Sequence, residues 1–191
     1  HLDDDRVDHG DVEAGGHEVH EVADLVCDLA RAARQASRGR KLVVFFYGYA
    51  FEFGTIRLGP STCGHYALRR VLDCPDIDVL CSPISYFDRG IGRSAPVMTA
   101  AESGALAGKM WLVEDDTRTY LGTGNFPGQY EGALDLAETL TLLRRNLAEE
   151  ATRNFATWWM DLGMTGSFDD PRMWEVMKAF EPVDQLFLER P

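Results

Sequence analysis

Glu114 closes a short apolar run, Lys109 to Val113, and is followed at once by Asp115, Asp116, Thr117 and Arg118. A parallel strand is buried on both faces and so appears as a near-continuous apolar run. Its carboxyl end opens where α/β folds keep their chemistry, which makes Glu114 the candidate centre. Three other apolar runs turn polar and aromatic in the same way. The first ends in Tyr47, Tyr49 and Glu52, the second in Ser82, Tyr86, Asp88 and Arg89, and the fourth in Trp159 and Asp161. With Glu114, Asp116 and Arg118 these are the groups a sugar site needs. Rings cover the apolar faces of a pyranose, and carboxylates and guanidinium groups grip its hydroxyls. A phosphate or dinucleotide site would need GxGxxG or a P-loop after a strand, and neither pattern is present.

Each of these residues also has a structural role open to it. Glu114 could pair with Arg89 or Arg118, and Asp116 with Thr117 to Thr119 could be turn chemistry. Trp158 and Trp159 are adjacent in a strand and must face opposite sides, so one of them faces the cleft. His65 falls within a predicted helix and is expected at the surface. No Ser-His-Asp or metal-ligand spacing stands out, and no cofactor is implied.

The elements that would position these groups follow from periodicity. Val19, Val22, Ala23, Val26, Leu29, Ala30 and Ala33 predict a helix over 17–37, with acids at its start, arginines at its end and Gly39 as its stop. Residues 1–16 read as loop. Leu42 to Tyr47 predicts a buried strand, leading into an aromatic loop bracketed by Gly48 and Gly54. A helix over 61–72 follows, capped by Ser61 or Thr62 and ended by Pro75. A second strand spans 78–82, and Pro96 opens a short helix over 97–106. The third strand starts at Lys109. A Gly-rich loop over 122–132 leads to the longest helix, 134–154, then a fourth strand over 155–161 and a last helix capped by Asp170-Pro171.

Strand and helix thus alternate four times after a leading helix, with no hairpin signal. That pattern means α/β, a parallel sheet of β/α repeats with crossover helices. Eight such units fill a (β/α)₈ barrel; four leave two bare edges, which proteins normally avoid. The sheet is therefore either open and doubly wound, or the second half of a barrel.

The 191 residues suffice for one domain, and 45% apolar with 26% charged content is that of an ordinary globular protein. The net charge of −12 is concentrated at the front, where residues 1–24 hold nine acids against Arg6 alone, a net −8. The body is only mildly acidic and has no basic patch for nucleic acid. No apolar run approaches the ~20 residues that span a bilayer. Cys27, Cys63, Cys74 and Cys81 form no CxxC pair, and reduced thiols of a cytoplasmic protein are expected. The first residue is His1, and the expectation is a piece of a longer chain.

The ordered set Phe46-Tyr47-Gly48-Tyr49, Ser82-Pro83-Ile84-Ser85-Tyr86 with Arg89, Gly108-Lys109 through Glu114-Asp115-Asp116-Thr117-Arg118-Thr119, and Trp158-Trp159-Met160-Asp161 resembles the β-galactosidase-like glycoside hydrolases. The likeness is to the second half of their catalytic barrel, near family 42 of the retaining clan, and spans roughly residues 17–185. It implies that the four strands are the fifth to eighth of a TIM barrel and that Glu114 is the nucleophile. Tyr47, Tyr49, Glu52, Tyr86, Arg89, Asp116, Arg118, Trp159 and Asp161 would contact a carbohydrate substrate, with Trp159 as the eighth-strand aromatic. Glu114 would stay ionised beside Arg89 or Arg118. The acid/base Glu would end the fourth strand, before His1, so the piece alone would be inactive. The family further implies oligomers in the full-length protein; no membrane or nucleic-acid partner is expected from the composition. Two other readings stay open: a non-catalytic carbohydrate-binding relative, or an independent open α/β domain binding another small ligand.

Overall fold

The computed structural model describes residues 9–53, 63–122, 132–164 and 166–189. Helix α1 (His9–Ala36) leads into β1 (Val44–Phe46), the helical turn α2 (Ala50–Phe53) and α3 (Leu68–Leu72). Then come β2 (Val79–Pro83) and α4 (Ala101–Leu106), β3 (Met110–Asp115) and α5 (Leu136–Arg153), and β4 (Ala156–Trp159) with α6 (Pro171–Ala179) and α7 (Glu181–Leu188). The four strands form one parallel sheet in the order β1-β2-β3-β4, so the expected α/β alternation is what the chain adopts. A doubly wound sheet reverses its strand order at a switch point. None of these four strands does, so the described sheet is wound in one direction.

Side-chain alternation sorts the sheet into two unlike faces. Tyr47, Trp111, Val113, Asp115 and Trp159 point to the helices. Trp111 meets Gly104 of α4, Asp115 meets Asn146 of α5, and Trp159 packs on Phe168 before α6. Strand register places Val44, Val79 and Met110 together on the other face, then Phe46, Cys81 and Leu112, then Pro83, Glu114 and Trp158. All the helices contacted by the sheet thus lie on one side, as same-handed crossovers in sequential order require. Among the described residues no helix covers the other face, and that face is concave. Phe46 of the first strand and Trp158 of the fourth meet edge to face at 6.4 Å, although two strands lie between them. In a flat sheet, strands ~4.8 Å apart would hold them about 14 Å from each other.

The apolar core fills the helix side. Ala23 and Ala30 of α1, Val71 and Leu72 of α3 and Ala101 of α4 close over Tyr47, Leu80, Trp111 and Val113. A second cluster joins Leu143 and Leu147 of α5 to Phe168, Met173 and Val176. Local capping fixes α5 and α6. Asp135 accepts from the Glu138 N–H at 2.9 Å and Asn154 ends α5 in the left-handed region, φ 57°. Asp170 caps α6 ahead of Pro171, as expected.

Several boundaries differ from expectation. Loop over 1–16 is corrected for 9–16, which are helical. Three glycines there cost about 1 kcal/mol each, but extending the strongly periodic 17–36 segment needs no new nucleus. The first strand is buried on one face only, with Val44 45% and Phe46 44% exposed on the concave side. Helix α3 begins at Leu68; Ser61 and Thr62 lie outside the described residues, as does most of the Gly-rich loop after Thr119. Helix α4 begins at Ala101 and not Val97, because the preceding backbone is engaged elsewhere. Val97 bridges Ile84, the Pro96 carbonyl accepts from Ser85 N–H at 2.7 Å, and the Met98 carbonyl accepts from Phe51 N–H at 2.9 Å.

Candidate functional site

Glu114 emerges on the concave face at the carboxyl end of β3, with its neighbours turned away. Asp115 points into the helix side, wholly buried. There its carboxylate accepts from Asn146 Nδ2 at 2.8 Å and from Thr117 N–H at 2.9 Å, while Asn146 also donates to Thr117 Oγ1 at 2.7 Å. Burial raises the Asp115 pKa against these bonds. The network clamps the strand end, so that Glu114 is held facing the other way.

Beside Glu114 lies a buried ion pair. Arg89 Nη1 donates to Asp116 Oδ1 at 2.7 Å and to the Asp116 carbonyl at 3.0 Å, and Nε donates to the Ser85 carbonyl at 2.8 Å. Both side chains are at most 3% exposed, and the guanidinium stacks 4.6 Å over the Tyr86 ring. Arg145 of α5 holds the same loop from behind, donating to the carbonyls of Arg89 (2.8 Å), Gly90 (2.7 Å) and Arg93 (3.0 Å).

Glu114 itself is 6% exposed, and its carboxyl is pushed up to about 7. Desolvation is the main cause and the Asp116 charge adds to it, with Arg89 opposing. The expected ionised carboxylate is therefore corrected to one that titrates near neutrality. The nearby guanidinium is committed to Asp116, so Glu114 feels little net positive charge. Tyr49 and Tyr86 complete the rim. Burial raises both phenols, and the Glu114 charge raises each further. Cys81 lies on the same face, takes a hydrogen bond from Trp158, and is raised to about 11 by burial.

No family model, curated protein or solved structure matches this chain.

Of the expected substrate contacts, Tyr49, Tyr86 and Arg89 gather with Glu114. Asp116 gathers there too, but as the buried partner of Arg89. The remaining expected contacts have other partners. Tyr47 is fully buried on the helix side, where its hydroxyl accepts from Ala67 N–H at 3.1 Å. The Glu52 carboxylate accepts from the Ser85 hydroxyl and, at 2.8 Å, from Tyr86 N–H, tying α2 to the loop after β2. Arg118 packs beside Gly132, and its carbonyl accepts from Ala133 N–H at 2.9 Å. Asp161 accepts from the N–H groups of Gly166 (2.8 Å) and Ser167 (3.3 Å) and so pins its own turn.

The tryptophan pair is corrected as well. Trp158, level with Glu114 in the register, faces the concave side, whereas Trp159 packs edge to face on Phe168 at 5.8 Å. Trp159→Ala should lower stability by about 2 kcal/mol in denaturant melts, because it opens the cluster between α5 and α6. Trp158→Ala should leave that cluster intact.

His65 was expected in a helix at the surface. It lies in the loop before α3, half-buried, stacked on Tyr47 with centroids 4.8 Å apart and planes 11° off parallel. Among the described residues no group of three or more His, Cys, Asp or Glu could hold a metal ion. No helix among them is long and apolar enough to cross a membrane.

A carboxyl raised by folding has a defined effect on stability. Glu114 is neutral in both states below about 4.5; from there to about 7 the unfolded chain ionises first, so stability falls as pH rises through that window. Glu114→Gln keeps the shape without the charge. It should therefore raise the Tm at pH 8 and leave it unchanged near pH 4, as read by melts across that range.

Proposed function

We propose that this chain is the second half, strands five to eight, of a (β/α)₈ glycosidase barrel of the β-galactosidase-like type, acting by retention. Glu114 is the nucleophile, and the acid/base carboxyl is contributed by residues preceding His1. The observation that carries the proposal is the position of Glu114. It sits at the carboxyl end of a parallel strand, on a concave helix-free face, among Tyr49, Tyr86 and the Arg89–Asp116 pair. A sheet wound in one direction, curled toward closure and, among the described residues, left with two unpaired edges is what half a barrel requires.

In a retaining enzyme the two carboxyls stand about 5 to 5.5 Å apart. Glu114, ionised above about pH 7, attacks the anomeric carbon while the partner acid protonates the leaving oxygen. The glycosyl-enzyme ester is then opened by water, which the partner deprotonates. The Tyr49 and Tyr86 rings offer the faces on which a sugar stacks. Arg89 keeps Asp116 neutralised and the Tyr86 loop in place.

Nitrophenyl glycosides test this. The 191-residue chain alone should turn over negligibly. The chain extended upstream by four β/α units should hydrolyse a nitrophenyl galactoside with retained anomeric configuration. Sugar binding without turnover by the extended protein would favour the silent carbohydrate-binding relative. Hydrolysis by the short chain that survives Glu114→Gln would contradict the assignment.

A further inference from the structure

We propose that His65 is a positioning residue whose unprotonated Nδ1 latches the loop after β1, so that Tyr49 is held over Glu114. The Nδ1 atom accepts two consecutive backbone N–H groups, Gly48 and Tyr49, each at 3.1 Å. An imidazole nitrogen that accepts has no proton of its own, so the ring proton is on Nε2. The ring is further gripped between Tyr47, stacked at 4.8 Å, and Tyr49, edge-on at 5.2 Å. The backbone N–H of His65 donates to Cys63 Sγ at 3.5 Å, and the next residue, Tyr66, donates its hydroxyl to the Ala50 carbonyl.

The loop so held has little slack. A Cβ on Gly48 would stand 2.9 Å from Trp111 Cζ2, so this backbone lies directly on the core. Tyr49, the next residue, is a rim group whose phenol feels the Glu114 charge. Protonating His65 replaces an acceptor with a donor that faces two donors. Both N–H groups then lose their partner and the loop is released.

The titratable groups around the ring are Tyr47 and Tyr49 of the held loop, and Cys63 and Tyr66 of its own segment. The phenol of Tyr47 is raised to about 12 and those of Tyr49 and Tyr66 are also raised, so these rings stay neutral as His65 titrates. Burial lowers the His65 pKa below its ordinary 6.5. Since the folded value lies below the unfolded one, the latch is intact above 6.5. It weakens as pH falls through the window beneath.

The role at a catalytic rim rests on Glu114 being the reactive carboxyl, but the test does not use sugar. His65→Phe keeps the ring and removes the acceptor; His65→Asn places an oxygen near the Nδ1 position and cannot titrate. Amide-exchange protection factors at Gly48 and Tyr49 should fall about tenfold in His65→Phe and hold in His65→Asn. The Glu114 titration midpoint, followed by carboxyl NMR, should drop in the Phe variant as Tyr49 leaves and water enters, and return in the Asn variant. If His65→Phe does not fold, the wild type and His65→Asn decide between them. Only the wild type should lose protection at these two amides as pH is lowered through the window beneath 6.5. Unchanged exchange and an unchanged Glu114 midpoint in His65→Phe would overturn the proposal, as would an Asn variant that behaves like Phe.

Discussion

Arg89→Met is expected to lower the stability of the chain by about 3 to 5 kcal/mol, the cost of leaving one partner of a buried ion pair behind. Met matches much of the arginine stem but none of its donors. The Asp116 carboxylate would remain inside with no cation, and the Ser85 and Asp116 carbonyls would each lose a donor. Adding Asp116→Asn should recover part of the loss, since a neutral amide needs no counter-charge. A double-mutant cycle in denaturant separates the two terms. Arg89 is also the group that lowers the Glu114 pKa. In Arg89→Met the Glu114 midpoint should therefore rise above about 7. A variant as stable as the wild type would show that the pair is not desolvated as described.

Glu114→Gln should have the largest effect on function. In the barrel completed by its upstream units, removing the attacking carboxylate should lower kcat by at least about 10,000-fold, the scale on which nucleophile deletions act. The same substitution stabilises the fold above neutral pH, because a desolvated charge is lost. Loss of activity together with a gain in Tm marks a group kept for chemistry and not for packing. A variant that lost both would mark Glu114 as structural.

Much of this architecture follows from local pattern. The alternation of strand and helix, the approximate places of the four strands, and the Asp170-Pro171 cap depend on residues close in sequence. Facing direction does not. In a fully apolar strand both faces look alike, so adjacent Trp158 and Trp159 are told apart only by their register against Glu114 and Asp115. The odd-even choice was legible in principle, since Glu114 must face opposite to Asp115, but the phase of the fourth strand relative to the third was not.

Long-range partners were equally hidden. Glu52 binds residues 33 and 34 positions away, His65 reaches back 16 and 17, and Arg145 reaches back 55 and 56. A carboxylate near strand ends looks like a ligand group whether it grips a substrate or a backbone N–H. The ionisation of Glu114 depended on the same kind of information. An arginine nearby in sequence predicts a lowered pKa only if its charge is free, and here Asp116 already holds it.

The most direct measurement is the carboxyl titration of Glu114 in the wild-type chain, followed by ¹³C NMR with Glu114→Gln to assign the resonance. A carboxyl resonance titrating near 7, which disappears in the Gln variant, is the expected result. A midpoint near 4.5, the ordinary glutamate value, would mean that Glu114 is open to water and that no built site exists at the end of β3.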